Sequence, residues 1–451
     1  MNHTTQQVVT LVDGWVSGPS TRGSKDIIWS SSLTIFLCTW TAVCLNVPHP
    51  NDSDFKILLR RVKWMFLGIF TPEFVLAIAL GQHLSARHSV QRFHDLGYSH
   101  WTLRHSFFVN MGGLLLQPKE SAPFLVNSSQ LAYLVEKGYM ECPAITAEEI
   151  WDKSKADLLT KTLAFLQACW LAIQLLGRAI LQLPISPLEL YAGANVLCTL
   201  GTFICWLQKP NDVRKTITLT IDVSTAQITA DAGGEAAISS LRSPLDSVEA
   251  SVTNQAPSIV RFYNLPGDKR EQTLDRFFND TFTELNYSHA IVYLCLGKVY
   301  AASHLIAWGF QFPTYVELVI WRVASSVATG SSVLLSIFEI LSSSSNSVTS
   351  GGALCCIWSK KTPRKEMLTK PEDGNTIGVP AVEDATAVRR GPVNTRSHTV
   401  WKGVVRAILA LTCAIARVFL VVEAIVSLRA LPADVYQTFD IVDVFSYWRS
   451  S

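Results

Sequence analysis

Three charged side chains sit close to the middle of long apolar runs: Glu73, Lys298 and Arg417. An ionised group deep in a lipid-facing helix costs ~2.5–3.5 kcal/mol on insertion scales, so it faces a cavity or a partner. Glu73 follows Pro72, which removes a backbone donor and frees a carbonyl one turn earlier. A broken helix beside a buried carboxylate is one way that transporters build a substrate or ion site. The plainer reading is a structural ion pair, with Glu73 neutralised across a helix bundle by Lys298 or Arg417. Arg406 and Arg417 are eleven residues apart, about three helical turns, and so share one face. Arg406 and Arg178 lie near the ends of their runs, where a long side chain reaches the headgroups. Glu189, Glu317, Arg322 and Glu339 are also near ends.

Other constellations offer less. Cys355-Cys356 precede Lys360-Lys361; paired juxtamembrane cysteines beside basic residues suit S-acylation, and two ordinary reduced thiols are the alternative. His83, His88, His94, His100 and His105 cluster, and His83, His94 and His105 would align on one continuous helix. Gly97 argues against that continuity, and no carboxylate or cysteine completes a metal site. The chain has no CxxC pair, GxSxG elbow, P-loop, HExxH or Rossmann fingerprint. No catalytic residue, metal site or cofactor is therefore expected.

The elements that must hold these residues are apolar helices. Charged residues make up 16% of the chain and hydrophobic ones 49%, against roughly 25% charged in ordinary soluble proteins. A net charge of +2 gives no reason to expect nucleic acid as a partner; the expected partner is a lipid bilayer, with any ion or small-molecule substrate unspecified. A spanning helix needs about 20 apolar residues. Seven runs meet or approach that length: Ile27–Val47, Trp64–Leu84 (broken at Thr71-Pro72-Glu73), Thr162–Leu183, Leu188–Leu207, His289–Phe310, Val316–Leu341 and Gly403–Leu428. The first, second, fourth and sixth are the least polar by this reading. Trp29, Trp64, Trp206, Trp308 and Trp401 fall near run ends, as an interfacial aromatic belt requires.

The expected fold is thus an all-α membrane protein, a polytopic bundle of about seven transmembrane helices with three long loops. An N-terminal tail (1–26) precedes two helices (27–84), and a folded loop region (85–161) leads to a helical hairpin (162–207). A mixed loop (208–288), a second hairpin (289–341), a mostly disordered loop (342–402), a last helix (403–428) and a tail (429–451) follow. Within 85–161, Thr146-Ala147-Glu148-Glu149 is a capping box that should start a helix running into the third span. Within 208–288, the Thr-rich alternation KTITLTIDVSTAQITA suits a strand or hairpin. The turns Gln182-Leu183-Pro184 and Gln311-Phe312-Pro313 each lead to a Glu-Leu pair; a remnant of duplication is one reading, and coincidence at proline-marked turns is the plainer one.

With seven crossings and a cytosolic N-terminus, 26 basic residues lie on the cytosolic side and six opposite, as the positive-inside rule prefers. The short segment with Lys56, Arg60, Arg61 and Lys63 opposes this arrangement, because it falls outside. Of the sequons, Asn51 would be exposed to glycosylation, and Asn127, Asn279 and Asn286 would not.

The segments RGSKDIIWSSSLTIFLCTWTAVCLNVP, HSFFVNMGG, DKSKADLLTKTLAFLQACW, QLPISPLEL, WLQKPNDV, IAWGFQFPTYVELVIWRVAS and ARVFLVVEAIVSLRALPADVY together resemble a family of fungal multi-pass membrane proteins without an established activity. The resemblance runs from Arg22 to about Tyr436. It implies fungal origin and a membrane location, and it brings no catalytic residues with it.

Overall fold

Hydroxyl-rich and apolar stretches alternate with capped turns, and each cap fixes where a helix starts. In the computed structural model, residues 10–18, 22–119, 123–152, 158–224, 295, 297–348 and 395–438 are described. The chain opens with a short strand, β1 (Leu11–Asp13), and then α1 (Ser24–Ala42). Ser53 accepts from the Lys56 amide at 3.4 Å and begins α2 (Asp54–Phe70). Pro72 cannot extend α2, but it fits the first turn of a new helix, and α3 (Pro72–Asp95) follows at a 112° bend.

A small α/β layer comes next: α4 (Leu103–Asn110), β2 (Leu114–Pro118), β3 (Phe124–Leu125), α5 (Ser128–Glu136) and α6 (Ala147–Asp152). The Thr146–Glu149 box is present, with reciprocal bonds of 3.1 and 3.0 Å; residues 153–157, between it and the next helix, lie outside the described residues. Then come α7 (Leu158–Ile180), α8 (Pro187–Cys205) and β4 (Ile217–Ile221). β2 is the centre of its sheet, antiparallel to β3 and parallel to β4 (Leu114 opposite Ile217). Phe93, Trp101, Leu114, Leu116, Leu131 and Ile150 fill the core of this layer.

A helical stretch at residues 297–303 runs into a 3-10 turn, His304–Gly309. Two long helices follow, α9 (Tyr315–Val348) and α10 (Thr395–Val426), and then β5 (Ala430–Pro432), which pairs antiparallel with β1 (Leu11 opposite Pro432).

The protein is mostly helical, with short strands beyond the all-α expectation, of which only β4 lies in the threonine alternation read as a strand or hairpin. Four described helical segments are long and apolar enough to cross a membrane: Thr160–Ile180, Pro187–Cys205, Tyr315–Phe338 and Val404–Arg429; the bent α2–α3 pair makes a fifth only if counted as one span. Seven such helices are not present among the described residues. α1 falls short because it takes in Lys25 and Asp26 at its start and ends at Ala42, five residues before its apolar run does, while Ser30, Ser31, Ser32, Thr34, Thr39 and Thr41 dilute what remains. Thr34, Thr39 and Thr41 donate back to carbonyls one turn earlier, at 2.6–2.8 Å. The fifth run gives way at His304 to the 3-10 turn, and its first residues lie outside the description. The third and seventh runs, more polar in sequence, do qualify.

α1 and α8 lie side by side in the same direction. At the far end Arg22 meets Glu189, and at the near end Lys209 meets Cys44 and Asn46. The α/β layer sits at the near end, and the β1–β5 ribbon at the far end. Arg178 organises the far end. It is fully buried rather than snorkelling, and its guanidinium donates to the carbonyls of Pro184 (3.0 and 2.8 Å), Asp434 (3.1 Å), Val435 (2.9 Å) and Gln437 (2.9 Å). Trp64 and Trp206 also differ from the belt expectation. Both are buried, and the Trp206 indole donates to Gln82 at 3.0 Å, whereas Trp29, Trp308 and Trp401 are exposed.

Bonds from a charged donor contribute about 1.5–3 kcal/mol each. Arg178→Met should therefore lower stability by at least about 3 kcal/mol and open residues 430–438 to protease. Thermal unfolding in detergent with limited proteolysis checks this, and an unchanged melting temperature would contradict it.

Candidate functional site

The break at Thr71–Pro72 leaves the last carbonyls of α2 without helical donors, inside the bundle. Side chains from two other helices supply them. From the middle of α8, the Asn195 amide donates to Gly68 O and Ile69 O, both at 3.0 Å, and the Tyr191 hydroxyl also donates to Ile69 O. From α10, Arg417 donates to Phe70 O at 3.4 Å and forms an ion pair with Glu73. Glu73 and Arg417 are 9% and 6% exposed, so water screens the pair little. The Tyr300 ring lies under the guanidinium, 5.4 Å from its centroid, and the His304 ring is 5.3 Å from Tyr300 and 5.7 Å from Tyr191. Glu73 Oε2 is buried and has no hydrogen-bond partner among the described residues.

Of the three mid-run charges, the structure pairs Glu73 with Arg417. Lys298 lies near enough to feel both charges but forms no ion pair with Glu73 among the described residues; it donates to Ser336 of α9 at 2.6 Å, while neighbouring Gly297 packs near the Glu73 side chain. Cys355 and Cys356 lie outside the described residues, as do Asn279 and Asn286. Asn127 caps α5, accepting from the Gln130 amide at 2.9 Å. The histidines do not converge: α3 ends at Asp95, and Gly97 turns the chain with φ +92°. His83, His94 and His105 each bond a separate backbone carbonyl, of Cys205, Trp101 and Ile145. No group of three potential ligands stands together among the described residues.

The two proline turns share a further feature. Ser186 and Thr314 cap the amides of Glu189 and Glu317, both at 3.3 Å, and those carboxylates take Arg22 and Arg429.

A model for a family of unknown function, DUF8562, matches residues 2–285. The chain belongs to that family. No curated protein and no solved structure matches. The DUF8562 match includes Glu73, Tyr191 and Asn195 but ends before Tyr300 and Arg417, so the ion pair joins the matched region to the rest of the chain.

Sequence reasoning passed over Lys209, which lies four residues beyond α8. It is fully buried, and its amine donates to Cys44 O, Asn46 Oδ1 and Gln82 Oε1, each at 2.9 Å, with the Trp206 ring at 4.8 Å. These acceptors are all neutral, so burial pushes the amine down to about 8. Between that value and the ordinary lysine range the unfolded chain binds the extra proton, so stability rises with pH across this window. The stability of the wild type relative to Lys209→Met should increase by up to about 3 kcal/mol between pH 8 and 10.5. Paired melts across that range read it, and a pH-independent difference would refute the assignment.

Proposed function

We propose that the protein is a multi-pass membrane protein of transporter- or channel-like design, in which Glu73, Arg417 and Lys298 line an interior route for a small ion. The observation that carries this reading is the helix break that sets a buried Glu73–Arg417 pair against the middle of α8. The outward faces of the long helices support a lipid environment. Leu166, Trp170 and Leu176 of α7 and Ile408, Leu411 and Ile415 of α10 are exposed, an apolar surface that water does not favour. Backbone freed by a broken helix is tolerated at bilayer depth where protein groups satisfy it, as Asn195 and Tyr191 do here. A receptor or scaffold is the second reading, favoured by the α/β layer having a core of its own.

Purified protein in sealed liposomes, loaded with a pH- or cation-sensitive dye, tests the choice. The wild type should dissipate a proton, sodium or potassium gradient faster than empty vesicles. The Glu73→Leu/Arg417→Met double variant, which removes both charges together, should be inactive while eluting as a single species. No flux of any of the three ions in the wild type, or full flux in the double variant, would count against an interior ion route.

A further inference from the structure

The two ends of the α2–α3 pair lie at the same end of the bundle. At the start of α2, Asp54 pairs with Arg214 at 2.8 Å, Arg60 donates to Asn46 O at 3.0 Å, and Arg61 pairs with Asp212 at 3.1 Å. All three partners belong to near-end segments that follow α1 and α8. Three turns into α3, at its middle, Gln82 accepts from Trp206 and Lys209, and His83 bonds Cys205 O at 2.8 Å, again at the near end. The tip between the two helices, Gly68–Glu73, is held at the level of Tyr191 and Asn195, about halfway along α8. A bend of 112° turns the path by more than a right angle, so α3 goes back toward the end from which α2 came. A single broken span would have to continue to the far end. These helices do not.

The outer face of α2 fits this path. Phe55, Leu59 and Phe66 are exposed at helical spacing, and Lys56 and Lys63, also exposed, lie on one flank of the stripe. An apolar stripe edged by lysines is the pattern of a helix lying obliquely in a lipid interface, with its basic groups at anionic headgroups. The placement also removes a conflict in charge. Lys56, Arg60, Arg61 and Lys63 now fall on the same face as Arg87, Arg92, Arg104, Lys137, Arg214 and Lys215. The far end carries Arg22, Lys25, Arg429 and the buried Arg178, with Arg322 two turns into α9, among the described residues. The positive-inside preference then points one way, with the near end cytosolic and the segment before α1 on the opposite side.

We propose that α2–α3 is a re-entrant hairpin that dips to mid-bilayer, carrying Glu73 at its tip, and returns to the same face. This rests on the membrane reading above but not on ion flux. The full chain, carrying short epitope tags before α1, between Asn51 and Asp52, or after Gly97, is made in sealed microsomal vesicles and exposed to protease from outside. The tags at 51 and 97 should be digested together, and the tag before α1 should be protected. Opposite fates for the 51 and 97 tags overturn the hairpin while leaving a membrane bundle in place. Digestion of all three in sealed vesicles overturns both.

Discussion

A carboxylate and a guanidinium withdrawn from water are costly unless they meet, and in this fold they meet where a helix is broken. Arg417 serves two needs there, pairing with Glu73 and approaching Phe70 O at the C-terminal end of α2, inside the bundle. Both charges suit the backbone around them. A cation at a helix C-terminus and an anion in the first turn of the next helix are each favoured by the helix dipole. Removing one partner of such a pair leaves an uncompensated buried charge, which costs about 3–5 kcal/mol. This one site links α2, α3, α8 and α10 to one another.

The remaining polar contacts close the two ends of the bundle. At the far end Arg178, Arg22–Glu189 and Arg429–Glu317 tie the helix turns to the first and last described segments, and β1–β5 completes the closure. At the near end Lys209 gathers the ends of α1 and α8 and the middle of α3 under the α/β layer. Each device places a cation against backbone carbonyls or a capped glutamate. Helix ends leave backbone carbonyls unsatisfied, so these cations lie at the ends of helices and at the α2–α3 break.

Part of this arrangement was legible in the residues. Pro72 announced the break, Gly97 the end of α3, Thr146–Glu149 the start of α6, and the threonine alternation the strand β4. The apolar runs located α7, α8, α9 and α10. Other features depend on tertiary contacts that a linear pattern does not carry. The sequence offered Glu73 two cations, and only helix packing selects Arg417 over Lys298. α2 starts ten residues before its apolar run because its first turns are amphipathic, with Lys56, Arg60 and Arg61 breaking the hydropathy signal. Arg178 looked like an end-of-helix residue free to reach headgroups, until the 430–438 segment folded over it. Trp64 and Trp206 stood at run ends and were read as a belt, yet those ends pack beneath the α/β layer.

The central claim is that Glu73 and Arg417 are held by each other. Thermal unfolding in detergent of Glu73→Leu, Arg417→Met and the double variant forms a double-mutant cycle. The account predicts a large loss in each single variant, about 3–5 kcal/mol, and recovery of most of it in the double. Losses that simply add would contradict the account.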